Sequence, residues 1–312
     1  MFKPFEVFRE SGNPMPALEA QLAIHKVAKE NAQGLYASPP AQGSGWQLDQ
    51  LEVGVPGGDV LVRLHTHIAP GRLTAIVGPN GAGKSSLLAT LTGQWAPHAG
   101  QILFDGQPLT RWPSADLARR RAMMVQDGSV AFDFTVQEVV ELGRYAHRLQ
   151  PSRNEAAIVH DAMAATQMEA FAGRSVRSLS GGERARAHLA RALAQVWEAP
   201  SGDQARWLLL DEPTAAMDLA WQHRTMDLLQ HWAQVRGVGV VVVVHDMNLA
   251  LRYADDALLV HGGGCLHGPV GDVLSLQTMR DVWGVGCFAA TAPDGTQQYL
   301  FAGADVGMGL GG

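Results

Sequence analysis

The stretch GPNGAGKSS at 78–86, directly after the apolar run LTAIV at 73–77, constrains this chain more than any other feature. It fits G-x-x-x-x-G-K-[ST] through Gly78, Gly83, Lys84 and Ser85, and the residues that follow read as a helix. A buried strand, a glycine-rich turn and a helix in that order belong to an α/β unit. Glycines let the loop Gly78, Pro79, Asn80, Gly81, Ala82, Gly83 turn its backbone N–H groups onto phosphate oxygens without side-chain clash. The helix dipole adds positive potential there. Lys84 is placed to neutralise β/γ-phosphate charge, Ser85 offers a hydroxyl to Mg²⁺, and Ser86 is expected among the ATP-binding residues with them. The expected ligand is a nucleoside triphosphate with its magnesium ion.

Continuous apolar strands recur downstream as WLLL (207–210), VGVVVVV (238–244) and ALLV (257–260), with helices between them. Such runs predict a parallel sheet covered on both faces. Upstream, 47–54 and 60–68 alternate and flank Pro56-Gly57-Gly58, which predicts an antiparallel hairpin, and 101–104 adds a strand before the Asp105-Gly106 turn. Between about 113 and 195 the pattern is mostly helical (115–121, 135–142, 154–165, 182–194), which predicts a helical subdomain inserted in the core. Residues 1–45 carry one short amphipathic stretch among Pro-, Gly- and Ser-containing segments and read as an appended, flexible arm. The cassette is expected over 46–285, with 286–312 as a short tail of weak strands.

WLLLDEP drives a buried strand to its C-terminal end and there places two carboxylates, where open α/β sheets bind ligands. If both stay in the strand, Asp211 and Glu212 point to opposite sides. We expect Asp211 to serve the metal and Glu212 to act as general base. His245 ends the valine strand. It is either a γ-phosphate contact or incidental to a helix capped by Asp246.

A second glycine pair opens the helix SLSGGERARAHLARAL at 178–193. Ser180 and Glu183 form a capping box, which starts a helix without any ligand. Ala185, Leu189, Ala192 and Leu193 fall on one face, with Arg184, His188 and Arg191 opposite. Capping alone does not call for Gly181 and Gly182, because glycine weakens a first turn. Bare backbone there admits a close approach. Lacking a lysine, this cradle cannot complete a phosphate site of its own, which suggests that it completes the site of a second copy.

Other features exclude more than they assign. A net charge of −6 argues against nucleic-acid binding by bulk charge. Cys265 and Cys287 have no metal or CxxC spacing and read as reduced thiols. No apolar run reaches bilayer-spanning length, and the first residues lack the apolar core of a secretory leader. His65 and His67 share a strand face and read as surface or core residues, not as heme ligands.

Taken in order, GPNGAGKSS, Gln126, LSGGE (179–183), WLLLDEP (207–213), Asp218 in TAAMD and His245 resemble the motif set of ABC-transporter ATP-binding subunits over roughly 48–285. The resemblance implies a P-loop NTPase of the ABC ATPase class, with a parallel core sheet, an antiparallel β subdomain and an inserted helical subdomain. It implies that Ser180, Gly181 and Gly182 of the signature segment, which ends in Glu183, meet the γ-phosphate held by the opposite subunit. Gln126 would join Ser85 and Asp211 around Mg²⁺, link nucleotide state to the membrane partner and, with Glu212 and His245, complete the catalytic set. Asp218 would belong to a dimer-face loop and His245 would sense the γ-phosphate.

LARRRAMMVQDGSVAFDFTVQEVVELGR (117–144), DLAWQHR (218–224) and HDMNLALRYAD (245–255) are similar to heme (hemin) importer ATPases, a group that sits with siderophore and cobalamin importers. That implies ATP hydrolysis by two copies docked on two permease subunits, fed by a periplasmic heme-binding protein, at the cytoplasmic face of the inner membrane and without nucleic acid. A siderophore or cobalamin importer ATPase is the alternative cargo reading. A soluble ABC ATPase outside transport, such as one of cluster assembly, is the alternative class.

The segment Gln126 to Arg144, with Phe132, Phe134 and Val136, suits a permease-docking surface; the alternative is that these residues are core. Three departures stand out. Glu183 replaces the usual glutamine, and its capping box turns it back from phosphate. Met217 replaces leucine, a volume-conserving change. No aromatic residue stands near Val55 and Pro56, where adenine would stack, so adenine is expected on an aliphatic surface with weaker base specificity, GTP included.

Overall fold

The computed structural model describes residues 44–125, 133–199 and 204–304. Readings that fall on 1–43, on 126–132 (Gln126 and Phe132 among them) or on 305–312 lie outside the described residues.

Among the described residues ten strands form one sheet: β1 Trp46–Gly54, β2 Val60–Ile68, β3 Leu73–Val77, β4 Ala99–Phe104, β5 Gln107–Pro108, β6 Arg121–Met124, β7 Trp207–Asp211, β8 Gly239–Val243, β9 Asp256–His261 and β10 Gly264–Pro269. Their order is β5-β4-β1-β2-β10-β9-β3-β8-β7-β6. The run from β9 to β6 is parallel and the edge carrying β1, β2 and β4 is antiparallel. A single parallel bridge, Gly264 to Arg63, joins the halves. The apolar runs behave as their composition demands: every residue of β3, β7 and β8 is buried. In β2, by contrast, Val62, Leu64 and Ile68 face the core while Arg63, His65 and His67 face solvent. His65 meets Asp49 at 3.0 Å, and the His67 ring contacts the Ser44 carbonyl at 2.7 Å.

The helices are α1 Lys84–Leu91, α2 Ser114–Arg120, α3 Val136–Leu142, α4 Glu155–Ala165, α5 Gly181–Gln195, α6 Leu219–Gln234, α7 Met247–Tyr253, the one-turn α8 Val270–Val273 and α9 Leu276–Trp283. The block 113–195 is not wholly helical. Arg121–Met124 is strand β6, paired in parallel with β7 at the sheet edge. A four-residue apolar run has no readable period, and only its neighbour decides its state.

Helix α5 packs on α3, α4 and β6. The side carrying His188 and Arg191 is therefore not a solvated face: His188 is buried, and Arg191 Nη2 donates to the Met123 carbonyl at 2.8 Å. The weak strands expected after 285 are present among the described residues. Strands β11 Val285–Thr291 and β12 Gln297–Ala304 pair as a separate antiparallel hairpin. Cys287 and Tyr299 sink into the main core from it, and the Asn248 side chain bonds both backbone groups of Tyr299. In the segment 126–144, Val136 is fully buried and Phe134 half-buried against the core. The core alternative holds for these two. Between Val136 and Gln150 the exposed large apolar side chains are Leu142, Tyr145 and Leu149.

Candidate active site

The phosphate loop leaves β3, which lies between β9 and β8 where strand order reverses, the position at which open α/β sheets bind ligands. Two glycines are sterically required. Gly78 has φ +149°, and a Cβ there would lie 2.2 Å from the Val260 carbonyl oxygen. Gly83 has φ +105°, and its Cβ would lie 2.7 Å from Val62 Cγ2 and 3.0 Å from Leu61 Cβ. The second contact also shows that the start of β2 lies over the loop. Lys84 is buried and folds back, donating from Nζ to the carbonyls of Gly78 at 2.9 Å and Pro79 at 3.0 Å. Burial pulls its ammonium below the usual lysine range, opposed by the charges of Glu212 and Asp211.

Ser85 Oγ donates to Asp211 Oδ1 at 3.3 Å. Burial raises the Asp211 carboxyl above the usual range; the Ser85 bond opposes the rise and the Glu212 charge adds to it. A desolvated carboxylate beside a hydroxyl is a hard-oxygen pair that suits Mg²⁺, an ion held by one or two carboxylates plus phosphate oxygens. Ser85 and Asp211 therefore fit the metal. Gln126, expected beside them, lies outside the described residues.

The separation of the two carboxylates has a cause the strand argument missed. Strand β7 ends at Asp211, and Glu212 takes φ +49°, a left-handed conformation uncommon for a non-glycine residue and frequent at functional sites. That turn sends Glu212 Oε1 to His245 Nε2. Asp246 also caps α7, accepting from Asn248 N at 2.7 Å and Leu249 N at 3.3 Å. The two readings of residues 245–246 are thus compatible: the aspartate caps while the histidine reaches the carboxylate.

Ser180 and Glu183 form the full capping box on α5, with Ser180 N donating to Glu183 Oε2 at 2.7 Å and Glu183 N to Ser180 Oγ at 3.3 Å. Glu183 is committed to its own helix end. Such a cap is worth about 1 kcal/mol. Gly181 and Gly182 meet this chain's own loop: a Cβ on Gly181 would lie 3.1 Å from Ala216 Cβ, and one on Gly182 would lie 3.0 Å from the Ala216 carbonyl oxygen. Asp218 caps α6, accepting from Trp221 N at 2.9 Å. Sequence reasoning missed this packing, and it missed His98, whose ring lies 3.2 Å from the carbonyl of the exposed Val55 in the β1–β2 turn.

Residues 61–215 match the ABC transporter family profile. The chain is 46% identical over 217 residues to a hemin import ATP-binding protein, HmuV, of Pseudomonas fluorescens, covering 70% of this chain and 83% of that protein. The chain belongs to the ABC transporter family. HmuV of Pseudomonas aeruginosa is 41% identical, over 80% of this chain and 96% of that one. Among solved structures, a metal-chelate type ABC transporter in an inward-facing conformation matches with TM-score 0.69 at 25% identity, over 83% of this chain and 97% of that one. The ATP-binding cassette MJ0796, solved as a dimer with ADP and Pi, matches in fold with TM-score 0.61 at 24% identity, over 72% and 98%. This ABC cassette therefore carries its P-loop, its two carboxylates and its terminal histidine on three adjacent parallel strands, β3, β8 and β7.

Proposed function

We propose that this chain is the ATP-hydrolysing subunit of a hemin importer, working as a pair of copies docked on two permease subunits and served by a periplasmic heme-binding protein. The hydrolytic reading rests on one observation: the Glu212 carboxylate meets His245 where β7 and β8 end, beside the buried Lys84 and the Ser85–Asp211 pair. Glu212 takes the proton of a water whose oxygen attacks the γ-phosphorus, the bond to the β-phosphate oxygen breaks, and ADP and phosphate leave. His245 holds the Glu212 carboxylate and reaches the γ-phosphate. Ser85 and Asp211, with Gln126 as the motif implies, would hold Mg²⁺, which would supply neutralising charge to the phosphate oxygens. Ser180, Gly181 and Gly182 offer helix-terminal N–H groups to the γ-phosphate of the second copy. Adenine rests on Val55 and its neighbours.

The cargo reading is supported by the hemin import ATP-binding relatives. Placement at the cytoplasmic face of the inner membrane accords with the described residues having no helix long and apolar enough to cross a membrane. Deleting the gene and supplying hemin as the only iron source tests the proposal. Loss of growth on hemin, restored by the wild-type gene and not by Glu212→Gln, is the expected result. Growth loss confined to ferric-siderophore iron, or a cobalamin requirement, assigns another chelate. Recovery from detergent-solubilised membranes with soluble partners alone removes transport altogether.

A further inference from the structure

The first turn of α5 and the loop 214–218 are packed as one body. The bare backbones of Gly181 and Gly182 lie against Ala216 and Met217. That loop is fastened to α6 in turn: Gln222 Nε2 donates to the Met217 carbonyl at 3.1 Å, and Thr225 Oγ1 contacts Met217 Sδ at 3.2 Å. Trp221, whose N–H completes the Asp218 cap, presents its ring to Arg186 on α5, with the guanidinium carbon 3.8 Å from the ring centroid. The same guanidinium donates from Nη1 to the carbonyls of Thr166 and Gln167, both at 3.1 Å, at the C-terminal end of α4. Arg186 is only 7% exposed and Trp221 is half-buried, so the cation side of the stack is largely out of water, which strengthens a cation over an indole ring.

A glycine turn has no side chain with which to anchor itself. Its position relative to Asp218 must be set from outside, and the Arg186–Trp221 stack ties the helical block carrying the glycines to the helix that Asp218 caps. We infer that Arg186 and Trp221 are positioning residues that hold the Gly181–Gly182 turn and Asp218 in one fixed relation, so that both reach the nucleotide of a second copy as a unit. This rests on the proposal that the two copies complete each other's sites. The stack acts through the turn and the cap.

The test uses the full-length Glu212→Gln protein with ATP and Mg²⁺. Dimerisation is followed by light scattering, and binding of fluorescent ATP is measured on the dilute monomer. Adding Trp221→Leu is expected to weaken ATP-driven dimerisation about tenfold and leave monomer affinity unchanged. Trp221→Phe keeps an aromatic face and is expected to restore most of the loss. Arg186→Lys keeps the charge and loses the planar stack, so it should give the same split and carries the test if Trp221→Leu does not fold. Undiminished dimerisation in both variants, or monomer binding falling in step with dimerisation, overturns the inference. So does loss of the folded state in both, which assigns the stack to stability alone. If the Glu212→Gln protein itself never dimerises, the shared-site reading fails instead.

Discussion

Glu212 and His245 are hydrogen-bonded across the ends of two neighbouring parallel strands. The register Asp211 to Val243 between β7 and β8 brings them level, and the left-handed turn at Glu212 closes the gap. A carboxylate held at a defined point by a histidine is suited to take a proton from a positioned water. Glu212→Gln should keep nucleotide binding and lower turnover by roughly 10²- to 10⁴-fold. Steady-state phosphate release beside fluorescent-nucleotide binding checks it; turnover within a few fold of wild type removes Glu212 from the role of base.

Gly182→Ala places a methyl group 3.0 Å from the Ala216 carbonyl oxygen, tighter than ordinary contact. The turn must shift by a few tenths of an ångström from its seat. Folding should survive, because the capping box is untouched, and cooperative hydrolysis should fall about tenfold or more. Thermal melting and ATPase rate, measured on one preparation, separate the two effects.

Gly78→Ala is a different kind of lesion. The new Cβ would meet the Val260 carbonyl oxygen at 2.2 Å, at a φ that L-residues rarely adopt. Backbone strain of about 1–3 kcal/mol plus the clash should appear as lost stability whether or not nucleotide is present. Denaturant unfolding reads it directly.

Val55→Tyr supplies an aromatic face at the exposed β1–β2 turn, which leads into the Leu61–Val62 stretch that lies over the P-loop. Stacking a base on such a face is worth roughly 1–3 kcal/mol, so the KM for ATP should drop about fivefold or more with kcat little changed. An unchanged KM places the base elsewhere.

Acid should weaken the fold from the histidine range downward. Burial lowers His147 from its ordinary 6.5, with the nearby Arg144 charge adding to this and its bond to the Gln195 carbonyl opposing it. Burial lowers His267 in the same direction. The unfolded chain then binds more protons than the folded one, so stability is full above about 6.5 and declines as pH falls below it. Melting curves taken between about pH 8 and pH 5 should show this slope, and His147→Gln should reduce it. A pH-independent melting temperature across that window contradicts the assignment.

The sequence by itself determined what depends on neighbours a few residues apart. The strand–loop–helix around Lys84, the carboxylates closing a buried strand, the capping box Ser180–Glu183 and the alternation of β2 are all local patterns. Their geometry follows from sterics, pleat and the unsatisfied N–H groups of a helix end. The tertiary structure alone decided what joins distant segments. Strand β6 exists because β7 lies beside it, and Val136 is buried because α5 covers its helix. Glu212 reaches His245 across strands from separate parts of the chain. The glycine pair, legible as a place of close approach, did not reveal that Ala216 of the same chain approaches it. Nor did any spacing announce Arg186 over Trp221. Periodicity tells which face of an element is buried, whereas the identity of what buries it is set by packing between elements that the chain brings together only when folded.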